Sequence, residues 1–297
     1  MAQITLLDGG MGQELVARSG DTPTPLWATR VMMDHPDLVR QIHADYFAAG
    51  ATVATTNTYA IHHDRLLHQG LDHLFHGLHL RALMQAVEAR DAHGSGRIAG
   101  SLGPLEASYR PDLTPSLDKA AAKYAEIAAL LAPHVDLFLI ETASSIAGAE
   151  GALMGAGQVR PVWLSLSVND KDGSKLRSDE PLADVARLIE TYRPAAVLAN
   201  CSVPEAMADA MDILRGFGLP FGAYANGFTH ITDNFKADQP TVDALFRRHD
   251  LTPARYADFA MGWVGQGATI VGGCCEVGPA HIAALRDRLL AEGHGIV

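Results

Sequence analysis

Thiols are scarce in this chain. Its 297 residues include three cysteines, Cys201, Cys274 and Cys275. That number is too small, and odd, for a disulfide framework of the kind that staples small secreted domains. Positive charge is also in short supply: 23 Lys and Arg stand against 34 Asp and Glu, for a net charge of −11. Phosphate contact needs clustered Lys and Arg, so a nucleic-acid surface is excluded. No apolar run approaches the roughly 18 residues needed to cross a bilayer, which argues against a membrane role. The N-terminus lacks the basic segment and long apolar stretch of a secretory signal. These absences predict a cytoplasmic protein whose thiols stay reduced.

What is present is a large apolar fraction, 48% of residues, with 19% charged. This is the composition of a globular chain with a sizeable core. Short β-rich apolar segments recur at 4–7, 52–56, 97–101, 137–140, 162–166, 196–199, 221–224 and 269–271. Runs such as Leu137-Phe138-Leu139-Ile140 fit strands buried on both faces of a parallel sheet. Amphipathic stretches lie between them at 36–49, 71–92, 117–131, 147–155, 182–191, 204–216, 253–265 and 279–290. Eight alternations without a composition break predict one domain over residues 1–297, a single (β/α)8 TIM barrel. In such barrels the active site forms at the C-terminal strand ends.

Cys201 closes the sixth predicted strand segment, and Cys274-Cys275 follow the eighth after Gly272-Gly273. A barrel brings these two places together. Neighbouring cysteines form a disulfide only through a strained ring, whereas three thiolates can share one soft cation. Three protein ligands on Zn²⁺ leave a fourth position for substrate, the catalytic arrangement.

Other patterns carry less. Gly9-Gly10-Met11-Gly12 lacks dinucleotide-loop spacing and reads instead as close backbone approach to a substrate carboxylate. Ser165 and Ser167 have no nucleophile-elbow context, which excludes a serine hydrolase. His62, His63, His68, His73, His76 and His79 are expected to be solvated surface residues. The polar loops 105–115 and 169–181 are expected to cover the pocket.

Asp8-Gly9-Gly10-Met11-Gly12, Glu141-Thr142, Asn200-Cys201, Gly272-Gly273-Cys274-Cys275 and Pro279-Ala280-His281-Ile282 together resemble the homocysteine S-methyltransferase family. The likeness runs from residue 4 to about residue 290. The resemblance implies a zinc-dependent barrel that moves a methyl group onto homocysteine sulfur, giving methionine, with Cys201, Cys274 and Cys275 as zinc thiolates. It implies that Glu141 receives the homocysteine ammonium with Asp8 beside it. Gly10, Met11, Ser165 and Asn200 join them as expected substrate contacts, and Tyr59, Trp163 and Asn226 as the expected donor pocket. Phe228 and Tyr224 also lie near strand ends and suit a cationic donor. The chain departs from the family pattern at Lys171-Asp172-Gly173-Ser174-Lys175 and Glu276-Val277-Gly278, which leaves the donor open. A small onium compound is expected, S-methylmethionine ahead of betaine-like donors and S-adenosylmethionine. Other readings are another thiol or selenol acceptor, a zinc barrel that binds thiols without turnover, and a metal-free redox dithiol at Cys274-Cys275. The expected partners are small molecules, and the sequence is compatible with a homo-oligomer.

Overall fold

The computed structural model describes residues 1–157, 159–237 and 239–297. Eleven strands follow one another among these residues: β1 (Gln3–Leu6), β2 (Val53–Thr55), β3 (Arg97–Leu102), β4 (Leu137–Ala143), β5 (Val162–Leu166), β6 (Val168–Asn169), β7 (Asp172–Leu176), β8 (Ala196–Asn200), β9 (Phe221–Tyr224), β10 (Ile270–Val271) and β11 (Gly295–Ile296). Nine form one sheet in the order β11-β1-β10-β9-β8-β5-β4-β3-β2, every pairing parallel. The sheet curls, because residues beside its two ends meet: Thr52 N donates to Leu6 O at 2.7 Å and Asp8 N to Val53 O at 3.2 Å. A curled parallel sheet with helices between its strands is a TIM-like architecture.

All eight expected strands are present. Two features went unforeseen. A two-residue strand, β11, pairs with β1 at Gln3↔Gly295 and Ile4↔Ile296. The segment after β5, expected to be a covering loop, forms the antiparallel hairpin β6–β7. Val168 and Leu176 are paired in that hairpin and are fully buried.

Strand alternation divides the core into two layers. Leu7, Val53, Ala99, Leu139, Leu198 and Ile270 pack together inside the curl. Ile4, Leu6, Ile98, Ile140, Leu164 and Val271 face outward onto the helices. Burying each Leu or Ile contributes about 1.5–3 kcal/mol. The helices begin and end on ordinary signals. Thr252 Oγ1 accepts Arg255 N at 3.3 Å at the start of Pro253–Gly265, with proline in the first turn. Gly50 and Gly94 close Leu38–Ala49 and Phe75–His93 in the left-handed conformation. No helix among the described residues is long and apolar enough to cross a membrane.

Candidate active site

Residues far apart in sequence meet at the C-terminal ends of the strands. A cavity of about 400 Å³ there is lined by Asp8, Gly10, Met11, Tyr59, Glu141 and all three cysteines, each of which the sequence singles out. The three sulfurs lie within 4.8 Å of one another. Thiolates on one tetrahedral zinc, with bonds of about 2.3 Å, would stand roughly 3.8 Å apart, so the set is close to the spacing such an ion needs. Among the described residues no second group of histidine, cysteine or carboxylate side chains converges in this way.

The cysteine-bearing turns grip one segment of backbone. Cys201 N donates to Tyr224 O at 3.3 Å, Cys274 N to Ala225 O at 3.0 Å, and Gly227 N to Cys275 O at 2.8 Å. Tyr256 supports them from behind, accepting Ala225 N at 3.1 Å and donating to Gly272 O. Sequence reading missed Tyr256, which sits inside an ordinary amphipathic helix pattern. Gly10 is required by close approach: a Cβ there would lie 2.6 Å from Cys274 O and 3.0 Å from Cys275 Cα. Cys201 adopts positive φ, at 50°, as do Thr142 beside Glu141, at 59°, and Glu276 beside Cys275, at 65°. Backbone strain of this kind collects at functional sites.

Two of the three thiols expected to be free are paired in this structure. Cys201 and Cys274 are joined as a disulfide and Cys275 is free. The physical reason is the fold: it sets the Cα atoms of Cys201 and Cys274 5.8 Å apart, within the range a disulfide spans. The pairing also differs from the vicinal Cys274-Cys275 dithiol considered as a redox site. Burial, Glu276 and Glu141 push the Cys275 thiol up to about 12. A sulfur held protonated by burial first and negative neighbours second is a fitting ligand for a soft cation, which would supply the missing positive charge.

Two carboxyl groups share the cavity. Asp8 is buried, its Oδ2 accepting Thr55 N at 2.7 Å and its Oδ1 accepting Thr55 Oγ1 at 2.9 Å. Glu141 accepts Ser101 Oγ at 2.5 Å and Tyr224 OH at 3.3 Å. Burial raises Asp8 to about 8, with the nearby Glu141 adding to the shift and the Thr55 hydrogen bonds opposing it. Burial likewise raises Glu141 to about 7. Two elevated carboxyls facing one cavity suit a cationic group, which would let both ionise.

Four expected contacts lie elsewhere. Ser165 Oγ and Thr142 N both donate to Asn200 Oδ1 at 2.9 Å, and Asn200 Nδ2 donates to Thr142 Oγ1 at 3.0 Å. Asn200 therefore spends its side chain on the strained Thr142, beside Glu141, with Ser165 bonded to Asn200, and neither lines the cavity. Trp163, the second residue of β5, lies toward the opposite end of the sheet, with the Arg97 guanidinium 5.4 Å from its ring centre. Asn226 is buried, and its Oδ1 accepts Phe228 N at 3.2 Å. Phe228 lines the cavity; Asn226 does not.

Of the expected aromatic residues, Tyr59, Tyr224 and Phe228 line the cavity. Trp27, Tyr109 and Phe235 line it as well and were missed, since all three lie outside the regular strands and long helices. The loop 105–115 does contribute walls, through Tyr109 and Leu113 among others. The segment 169–181 does not. Its expected place is taken by the excursion after β9, with Phe228, Phe235, Val242 and Leu245.

The histidines also differ from expectation. His62 and His79 are buried rather than solvated. His79 Nδ1 is 2.9 Å from Phe75 O, and burial pulls His62 down to about 3. His63 stacks on Phe75 and lies between Asp72 and Glu126, at 2.5 and 3.1 Å.

Comparison with known proteins follows the same lines. The model of the homocysteine S-methyltransferase family matches residues 5–289. The homocysteine S-methyltransferase of Escherichia coli is 32% identical over 304 residues, covering 96% of this chain and 95% of its own. The crystal structure of the E. coli homocysteine methyltransferase MmuM in its metallated form superposes with a TM-score of 0.80 at 29% identity, covering 96% of each chain. The selenocysteine methyltransferase of Astragalus bisulcatus is 24% identical, over 97% of this chain and 93% of its own. This chain is a methyltransferase of the homocysteine S-methyltransferase family.

Proposed function

We propose that the protein moves a methyl group from a small onium donor, S-methylmethionine first, to the sulfur of homocysteine, giving methionine. The metal in this reading is zinc, held by Cys201, Cys274 and Cys275 in their reduced form. The observation that carries it is the meeting of three sulfurs, within 4.8 Å of one another, and two carboxyl groups in one cavity. We further take the curled sheet to be a closed (β/α)8 barrel forming a single domain in a cytoplasmic protein. The hydrogen bonds of Thr52 and Asp8 to Leu6 and Val53 support the closure.

Zinc, when bound, supplies a Lewis acid that holds the acceptor sulfur as a thiolate at neutral pH. The chain's own residues do the rest. Glu141 and Asp8 take the acceptor's ammonium through charge-assisted hydrogen bonds. Gly10 lets the backbone come close to the substrate. Tyr59, Tyr224, Phe228 and Trp27 offer ring faces to a cationic donor, each contact worth on the order of 1 kcal/mol. Holding donor and acceptor in line could remove several kcal/mol of the barrier. The new S–CH₃ bond forms as the donor's onium–methyl bond breaks, and its electron pair leaves with the departing thioether. The Astragalus relative makes a selenol the second acceptor to test.

Reduced protein purified without added metal should carry about one zinc per chain, and Cys201→Ser should lose it. Zinc-free, reduced wild-type protein would remove the metal from the reading. A second prediction concerns pH. Below about 7 both carboxyls hold protons and cannot pair with an ammonium; above about 8 both are ionised. Methionine carries the ammonium without a thiol, so its binding to metal-free protein should tighten as pH rises through this window. Calorimetry in buffers of different ionisation enthalpy should show protons released on binding near pH 6. Affinity that is flat with pH would count against the ammonium site.

A further inference from the structure

The hairpin β6–β7 lies outside the cavity, yet the residue that follows it reaches back to the cysteines. Arg177 Nη2 donates to Cys201 O at 2.9 Å and Nε donates to Ser167 Oγ at 2.7 Å. Its fork is paired with Asp170, at 2.9 and 3.1 Å, and Asp170 Oδ1 also accepts Val203 N at 3.1 Å. The two charged side chains are only 10% and 15% exposed. On its other side the guanidinium stands 4.7 Å from the ring centre of Tyr109. Tyr109 lines the cavity and packs in one cluster with Cys201 and Phe228.

Cys201 is held at a φ of +50°, which a residue with a Cβ adopts only when its surroundings enforce it. Its amide is bonded to Tyr224 O, and its carbonyl is bonded to Arg177. The ion pair is neutral in sum, so what it brings to the sulfurs is geometry more than charge. A planar guanidinium suits this place, since it can meet a carboxylate, a carbonyl, a hydroxyl and a ring face at once.

We propose that Arg177, held by Asp170, is a positioning residue for the metal centre: it fixes the peptide of Cys201, and so the direction of its sulfur, and ties that peptide to the Tyr109 wall of the pocket. This rests on the reading of the three cysteines as a zinc site. Groups that orient metal ligands from behind typically change metal affinity by about 10–100-fold when removed.

The test uses reduced full-length protein, wild type, Arg177→Lys, and the double variant Asp170→Ala/Arg177→Ala, which leaves no buried charge unpaired. Zinc affinity is measured by chelator competition, and thermal midpoints of the metal-free forms are recorded. Alkylation of Cys201 relative to Cys275 by iodoacetamide is followed by mass spectrometry on metal-free protein. Both variants should lose about 10–100-fold in zinc affinity. Cys201 alone should react faster, and Arg177→Lys should keep a midpoint near wild type. Wild-type affinity with an unchanged Cys201-to-Cys275 ratio in the folded double variant would overturn the proposal. So would equal acceleration at every cysteine, which would report general loosening. If wild-type protein binds no zinc, the metal reading fails, and the alkylation ratio alone decides whether Arg177 positions Cys201.

Discussion

Cys275→Ser should abolish methyl transfer to homocysteine while leaving the fold in place. Cys275 is the free thiol of the three, and burial with Glu276 and Glu141 pushes it up to about 12. Only a cation among the sulfurs would draw its proton off, and a serine hydroxyl is a far poorer thiolate substitute. A metal acting as Lewis acid supplies several kcal/mol, so the loss in rate should be on the order of a thousandfold or more. Activity is measured as methionine formed from S-methylmethionine and homocysteine, with circular dichroism and a thermal midpoint to show the fold intact. A serine variant that turns over like wild type, or wild-type protein that keeps full activity after complete chelation, would sink the zinc mechanism.

Glu141→Gln should act on the acceptor rather than on the metal. The carboxylate sits between Ser101 and Tyr224, both of which can turn their hydroxyls toward an amide, so the change disturbs little packing. What disappears is the negative charge that, in the proposed reading, faces the substrate ammonium. Losing one partner of a buried charged hydrogen bond costs about 2–5 kcal/mol, or roughly 30- to several-thousand-fold in kcat/KM for homocysteine. The decisive comparison is with a simple alkyl thiol that has no amine. Its rate should be nearly the same in wild type and variant, and the preference for homocysteine should collapse. An unchanged KM for homocysteine would mean that the ammonium is received elsewhere.

These expectations could be formed because much of the fold is written plainly in the chain. Strands such as Leu137–Ala143 and Ala196–Asn200 are buried along nearly their whole length, so they read as apolar runs rather than alternations. The hairpin was illegible because Asp172-Gly173-Ser174-Lys175 has the composition of a turn, and only Val168 and Leu176 anchor it. At the site, small residues followed by cysteine at two strand ends were readable, since few other arrangements need that pattern. Ser165 and Asn200 were misread because a polar residue at a strand end can face substrate or brace a neighbour. Here Asn200 braces Thr142 and Ser165 braces Asn200. Trp27 and Tyr109 were invisible for another reason: each has positive φ, at 47° and 62°, in a stretch with no periodicity to place its ring.

Asp8 follows β1 and Glu141 lies within β4, whereas the sulfurs follow β8 and β10. All four strands belong to one hydrogen-bonded sheet, so neither set can move toward the other without breaking backbone bonds. Under the proposed reading the scaffold would act as a fixed gauge for the acceptor, with the amine at one jaw and the sulfur at the other. A thiol amino acid one methylene shorter should then be a poorer acceptor than homocysteine. That preference would come from the sheet, with no residue needing to touch the methylenes.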